Sequence, residues 1–134
     1  MVRFPKPTLE PADLLHFIEL RAFTEAWDHR LALGDDELTA LQILIMMQPK
    51  GAPIVAGTGG LRKLRFAAES AAAGKRGGIR VCYVYFEQWG IVLLVTAYAK
   101  NRKDDLSAME KKRIQEILGD IEQLVRESRK SHGN

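Results

Sequence analysis

Three runs of strand length lie close together in the second half of the chain: LRKLRFA (61–67), IRVCYVYF (79–86) and IVLLVTAYA (91–99). The last two are rich in β-branched residues and nearly apolar on both faces. That pattern predicts central strands, covered on one side and partly enclosed on the other. The intervening EQWG predicts a short hairpin connection. The first run differs. Arg62, Lys63 and Arg65 fall within four positions, and the alternation of a strand puts cations on both of its faces.

The first half reads as one strand and two helices. HFIELRAF (16–23) is short and partly alternating, the pattern of an edge strand. TEAWDHRLAL (24–33) predicts a helix ending at Gly34, a natural residue to follow a helix. Asp35 or Asp36 can cap a second helix running through Met47, with Leu38, Leu41, Leu44 and Ile45 as its apolar stripe. Pro49, Gly51 and Pro53 then break the chain into a loop. Near the end, Ser107 and Glu110 have the spacing of a capping box. The stripe Met109, Ile114, Ile117, Leu118, Ile121, Leu124 and Val125 carries that last helix to about Glu127. The order is β-α-α-β-β-β-α. Residues 1–13 read as a flexible N-terminal arm, 14–127 as a single domain and 128–134 as a frayed tail.

Composition adds bounds. At 134 residues the chain suits one domain with a core of its own. Hydrophobic residues at 46% and charged residues at 28% fit an ordinary globular protein. Cys82 is the one cysteine and lies in an apolar run, so a small buried residue is expected, with no internal disulfide. The opening MVRFPKPTLEPADLL has three prolines and does not resemble a signal peptide. The longest apolar stretch, GIVLLVTAYA, is too short to span a bilayer. A cytoplasmic protein with no membrane partner is expected.

Charge is unevenly spread. Residues 1–56 hold five Lys/Arg and eight Asp/Glu, residues 57–103 nine and two, and residues 104–134 six and seven. The blocks are therefore −3, +7 and −1, which sum to the net +3. A central positive block points to an anionic partner, most often nucleic acid.

Familiar catalytic sets are missing. His16, His29 and His132 are scattered, and no HxxxH, HExxH or CxxC occurs. GTGG (57–60) lacks the Gly-Lys-Ser/Thr of a phosphate loop, and no GxSxG is present. Asp104 and Asp105 precede the capping Ser107 and read as charges favourable to the helix N-terminus. No metal or other cofactor is expected.

What remains is cations and tyrosines. Arg62, Lys63 and Arg65 lie on the first strand of the meander, Lys75 and Arg76 in the following loop, and Arg80 on the next strand. Lys100, Arg102 and Lys103 follow the last strand. Antiparallel pairing brings Arg80, Lys100 and part of the 62–65 group to one region. Tyr83, Tyr85 and Tyr98 lie on the same strands. Rings beside cations suit unpaired bases, while sheet packing with a satisfied hydroxyl is the plainer role for a strand tyrosine.

GTGGLRKLRFA, then GGIRVCYVYF, then VLLVTAYAKNRKDDLS before a charged amphipathic helix, resembles the RelE/HigB toxins of bacterial toxin–antitoxin systems, closest to the HigB-like branch. The strong match covers about residues 54–107. The resemblance implies an α+β, microbial-RNase-like RelE fold: a small, mainly antiparallel sheet with helices on one face and a basic cleft on the other. It implies an endoribonuclease that cuts mRNA on the ribosome. It also implies a cognate antitoxin as partner, with a HigA-like helix-turn-helix domain.

Metal-free RNA cleavage by attack of the 2′-OH needs a base, cations for the pentavalent phosphate and an acid for the leaving oxygen. Arginine stays protonated and cannot be the base; an amine can, where neighbouring cations favour its neutral form. The motif carry-over makes Lys63 and Lys100 the candidates for proton transfer and Arg65 and Arg80 the candidates for phosphate stabilisation. Arg62, Lys75, Arg76, Tyr98, Arg102 and Lys103 are candidate RNA contacts. Some relatives use a C-terminal tyrosine or histidine near the scissile phosphate, and residues 101–107 here supply neither. The alternatives are a catalytically inactive module of the same fold that binds RNA or an antitoxin, and a structural domain whose basic strand merely solubilises a sheet edge.

Overall fold

The computed structural model describes residues 9, 13–67, 78–100 and 106–132. Four strands form one sheet: β1 (His16–Glu19), β2 (Arg62–Phe66), β3 (Ile79–Phe86) and β4 (Ile91–Ala99), in the spatial order β1-β4-β3-β2. β2 and β3, and β3 and β4, pair antiparallel, and β1 lies parallel to β4 at the edge. Helices α1 (Arg21–Glu25), α2 (Asp35–Met47) and α3 (Ala108–His132) complete the expected order. The α+β class and the mainly antiparallel sheet are as the sequence pattern anticipates. EQWG forms a tight 3₁₀ turn at Glu87–Trp89, with Gly90 left-handed at φ 62°.

The first helical region differs from expectation. The strand stops at Glu19, and α1 begins at Arg21, inside the run read as strand. Thr24 Oγ1 donates to Glu19 Oε1 at 2.7 Å, which ties the new helix to the strand end. A π-helical turn over Ala26–Arg30 follows, and the Leu31 amide reaches back to Ala26 O at 2.8 Å. Ala32, not Gly34, takes the left-handed conformation, at φ 51°. Gly34 is extended and instead precedes α2, its amide donating to Glu37 Oε1 at 2.8 Å. The irregular turn keeps Phe23 and Trp27 stacked at 5.3 Å and holds Trp27 5.8 Å from Phe66.

The expectation of helices on one face is corrected. Apolar residues are buried on both faces of the sheet. On one face Phe23, Trp27, Leu41 and Ile45 pack on Ile79, Val81, Tyr83, Val92 and Leu94. On the other, Leu106 and Leu118 pack on Leu61, Cys82, Val84, Leu93 and Val95. The near-continuous apolar runs of β3 and β4 have this physical reason: both of their faces need cover.

α3 starts as the capping box predicts. Ser107 N donates to Glu110 Oε1 at 2.8 Å, and Glu110 N donates to Ser107 Oγ at 3.1 Å. It runs past Glu127 to His132. Only part of its wide stripe docks: Leu118 is buried, while Met109 and Leu124 stay exposed. On α2, Leu41 and Ile45 are buried and Leu44 is exposed.

β3 and β4 do not pair with a constant offset. Tyr83 faces Leu94, while Cys82 faces Thr96. Val95 is therefore one extra residue in β4, a β-bulge. Before it, Val92 and Leu94 join the α2 face; after it, Ala97 does. Tyr98 joins the α3 face.

Candidate functional site

β2 carries its cations on two faces, as alternation requires. Arg62 pairs with Tyr83, Lys63 with Cys82, and Arg65 with Arg80. Cross-strand partners share a face. Cys82 belongs to the α3 face and Tyr83 to the α2 face. Lys63, Arg65 and Arg80 therefore share the α3 face, and Arg62 lies on the opposite one.

Three rows of residues run across that shared face. Arg65, Arg80 and Tyr98 form the central row, because Arg80 faces Arg65 on one side and Tyr98 on the other. Lys63, Cys82 and Thr96 form the row toward the middle of the sheet. Toward the strand ends, the Lys100 amide donates to Gly78 O at 3.3 Å, which extends the ladder one row beyond Arg80. Alternation carries Lys100 to the face of Tyr98. Arg65 and Lys100 are exposed; Lys63, Arg80 and Tyr98 are half-buried. α3 covers the other end of this face, over Leu61, Val84 and Leu93. The face is thus apolar under the helix and cationic beyond it.

Arg62 does not join the cluster. Its Nη1 donates to Ala52 O at 2.7 Å and to Lys50 O at 3.1 Å. Beside it, the buried Tyr83 hydroxyl donates to Pro49 O at 2.9 Å. Together they clamp the loop that follows α2. Burial pushes the Tyr83 phenol above its ordinary value of 10.0, against the Arg62 charge and a backbone hydrogen bond at Ala52, which lower it. Tyr83 takes the packing role, and Tyr85 packs at the margin of the same core, away from the cations. Lys75, Arg76, Arg102 and Lys103 lie outside the described residues, as do Asp104 and Asp105.

The glycine-rich stretch ahead of β2 is a turn held by a residue that the sequence reading passed over. Thr58 is fully buried. Its Oγ1 donates to Val55 O at 2.6 Å and accepts from Leu61 N at 3.0 Å. Gly57 and Gly59 both take φ 81°, which only glycine adopts without strain. The turn delivers Leu61 to the core and sets the register in which Lys63 and Arg65 face Cys82 and Arg80.

Other neighbours of the cluster also went unread. Arg30, Glu110 and Arg113 line a cleft with Tyr98. Nothing in their spacing signals this, since the sheet brings together the π-helical turn and α3, which are far apart in sequence. Among the described residues, no group of three or more His, Cys, Asp and Glu could hold a metal ion. No described helix is long and apolar enough to cross a membrane.

No family model matches the chain. Among solved structures it is similar to a double arginine-to-alanine mutant of the E. coli toxin RelE in the free state, at 13% sequence identity over 68% of this chain and 88% of that one, with a TM-score of 0.48.

Proposed function

We propose that the chain is the toxin of a toxin–antitoxin pair, an endoribonuclease that cleaves mRNA by metal-independent attack of the 2′-OH. The carrying observation is the register of Arg65 opposite Arg80. Like charges directly opposite one another in a sheet are destabilising. Both guanidiniums stand on one face of the sheet, and each is able to grip a phosphate with two parallel N–H groups. Protection of an edge strand explains cations on β2, but β3 is a central strand and Arg80 lies on it.

The lysines supply the remaining groups. Lys63 lies one row to one side of Arg80 and Lys100 one row to the other. Each is about 6.7 Å from the arginine row along the strands, at two residues per row. In-line displacement at phosphorus places the attacking 2′-oxygen and the departing 5′-oxygen on opposite sides. Two amines bracketing a phosphate suit that geometry, one taking the 2′-OH proton and the other giving a proton to the leaving oxygen. Arg65 and Arg80 then stabilise the pentavalent phosphate. The motifs over residues 54–107 support the same reading and add the ribosome, a HigA-like helix-turn-helix antitoxin and a cytoplasmic setting.

Induction of the wild type and of a Lys63→Ala/Arg80→Ala variant in bacteria tests this. The wild type is expected to arrest growth and shorten mRNA, and the variant to do neither. Equal growth and equal mRNA integrity in both would falsify the proposal.

A further inference from the structure

A cleft of about 300 Å³ adjoins the cationic end of the sheet. β1 pairs with β4 only up to Leu94, and the cleft begins at the next residue, running from Val95 to Tyr98. Leu20, Ile114 and Ile117 make apolar walls, while Arg30, Glu110 and Arg113 add charge to the lining. Tyr98 belongs both to this cleft and to the row of Arg65 and Arg80.

We propose that the cleft holds the base of the nucleotide whose phosphate sits on Arg65 and Arg80; this rests on the function proposed above. Tyr98 is one strand spacing from Arg80, roughly 4.8 Å, so phosphate row and cleft lie within reach of a single nucleotide. Apolar walls suit the faces of a base, and guanidinium and carboxylate groups can read its edge. Two arginines against one glutamate leave the lining net positive, which favours a ligand that carries phosphate. The cleft follows only four residues of β4, a short run for a peptide strand but ample for one ring system.

The test uses the full chain with methyl and arginine side-chain NMR signals assigned. The probes are ribose 5-phosphate and the 5′-monophosphates of adenosine, guanosine, cytidine and uridine. Ribose 5-phosphate is expected to perturb Arg65 and Arg80 alone. The nucleotides are expected to perturb the Leu20, Ile114 and Ile117 methyls as well, with affinities that differ about tenfold between the best and the worst base. Ile117 is 38% exposed, so Ile117→Trp can fill the cleft without entering the core. It is expected to abolish the base ranking and keep the response to ribose 5-phosphate. Equal binding of all five probes with silent methyls overturns the cleft proposal and leaves the phosphate site standing. Silence at Arg65 and Arg80 with every probe overturns both. A cleft that ignores nucleotides but takes an apolar, acidic peptide is a protein-docking site, and that also overturns the proposal.

Discussion

Arg65 and Arg80 stand directly opposite each other on adjacent strands of the sheet. Like charges directly opposite one another in a sheet generally cost a few tenths of a kcal/mol up to about 1 kcal/mol. Stability and function should therefore respond to removal of one charge in opposite directions. Arg65→Thr is expected to raise the urea midpoint slightly, by the equivalent of about 0.5 kcal/mol. The same change is expected to lower the rate of mRNA cleavage by roughly 10²–10³-fold. Loss of both stability and cleavage would show that Arg65 is a packing residue.

Arg62 lies three positions earlier and should behave in the opposite manner. Its guanidinium holds the Lys50 and Ala52 carbonyls on the far face. Arg62→Ala is expected to cost about 1.5–3 kcal/mol, the range for hydrogen bonds to a charged group. Cleavage per folded molecule should be unchanged. Chemical denaturation and an activity assay normalised to native protein separate the two effects.

The alkaline limb of stability should depend on Tyr83. Its folded phenol is raised above 10.0, chiefly by burial. The unfolded phenol loses its proton first, so the unfolded state binds fewer protons above about pH 10 and stability falls with rising pH. The contribution is complete below the unfolded value and is lost as pH climbs through the folded one. Tyr83→Phe is expected to be about 1 kcal/mol less stable at neutral pH, through the lost bond to Pro49 O. Its decline above pH 10 should be shallower. Thermal unfolding followed from pH 8 to pH 11 reads both.

Thr58 is a third structural test. Its hydroxyl makes two hydrogen bonds inside the turn, and Thr58→Val leaves the Leu61 amide and the Val55 carbonyl unsatisfied there. A cost of about 2–4 kcal/mol is expected, one buried group counted at each end. A variant within about 0.5 kcal/mol of wild type would mean that water replaces the hydroxyl.

Much of this architecture was legible because its signals are local. β3 and β4 carry nearly continuous apolar runs between turn residues, and their limits are those read from the sequence. The Ser107–Glu110 box announces α3 three residues at a time. The sheet's second cover was not legible, since an amphipathic stripe shows that a helix docks and not against which face. α1 was misplaced because Thr24 bonding to Glu19 and the wide turn at Ala26–Arg30 override the spacing of apolar residues. In the site, alternation puts Arg62 on the opposite face from Lys63 and Arg65, yet the shared basic run makes all three look like contacts for one anion. Alternation could not show that Arg62 has carbonyl partners, which come from a loop ten to twelve residues earlier.

The extra residue at Val95 gives β4 two reading frames. Up to Leu94 the even positions face the α2 core; past the bulge the odd ones do. A strand with a single frame would carry position 98 to the α2 side, and the phenol of Tyr98 would sit on the opposite face from Arg80. Deleting Val95 should therefore straighten β4 and keep the site, because Thr96, Ala97 and Tyr98 would retain their partners Cys82, Val81 and Arg80 and hence their faces. A one-residue insertion between the bulge and Tyr98 is predicted instead to carry Tyr98 off the Arg80 face, and to be far less tolerated than a substitution, even where the substituted residue is buried.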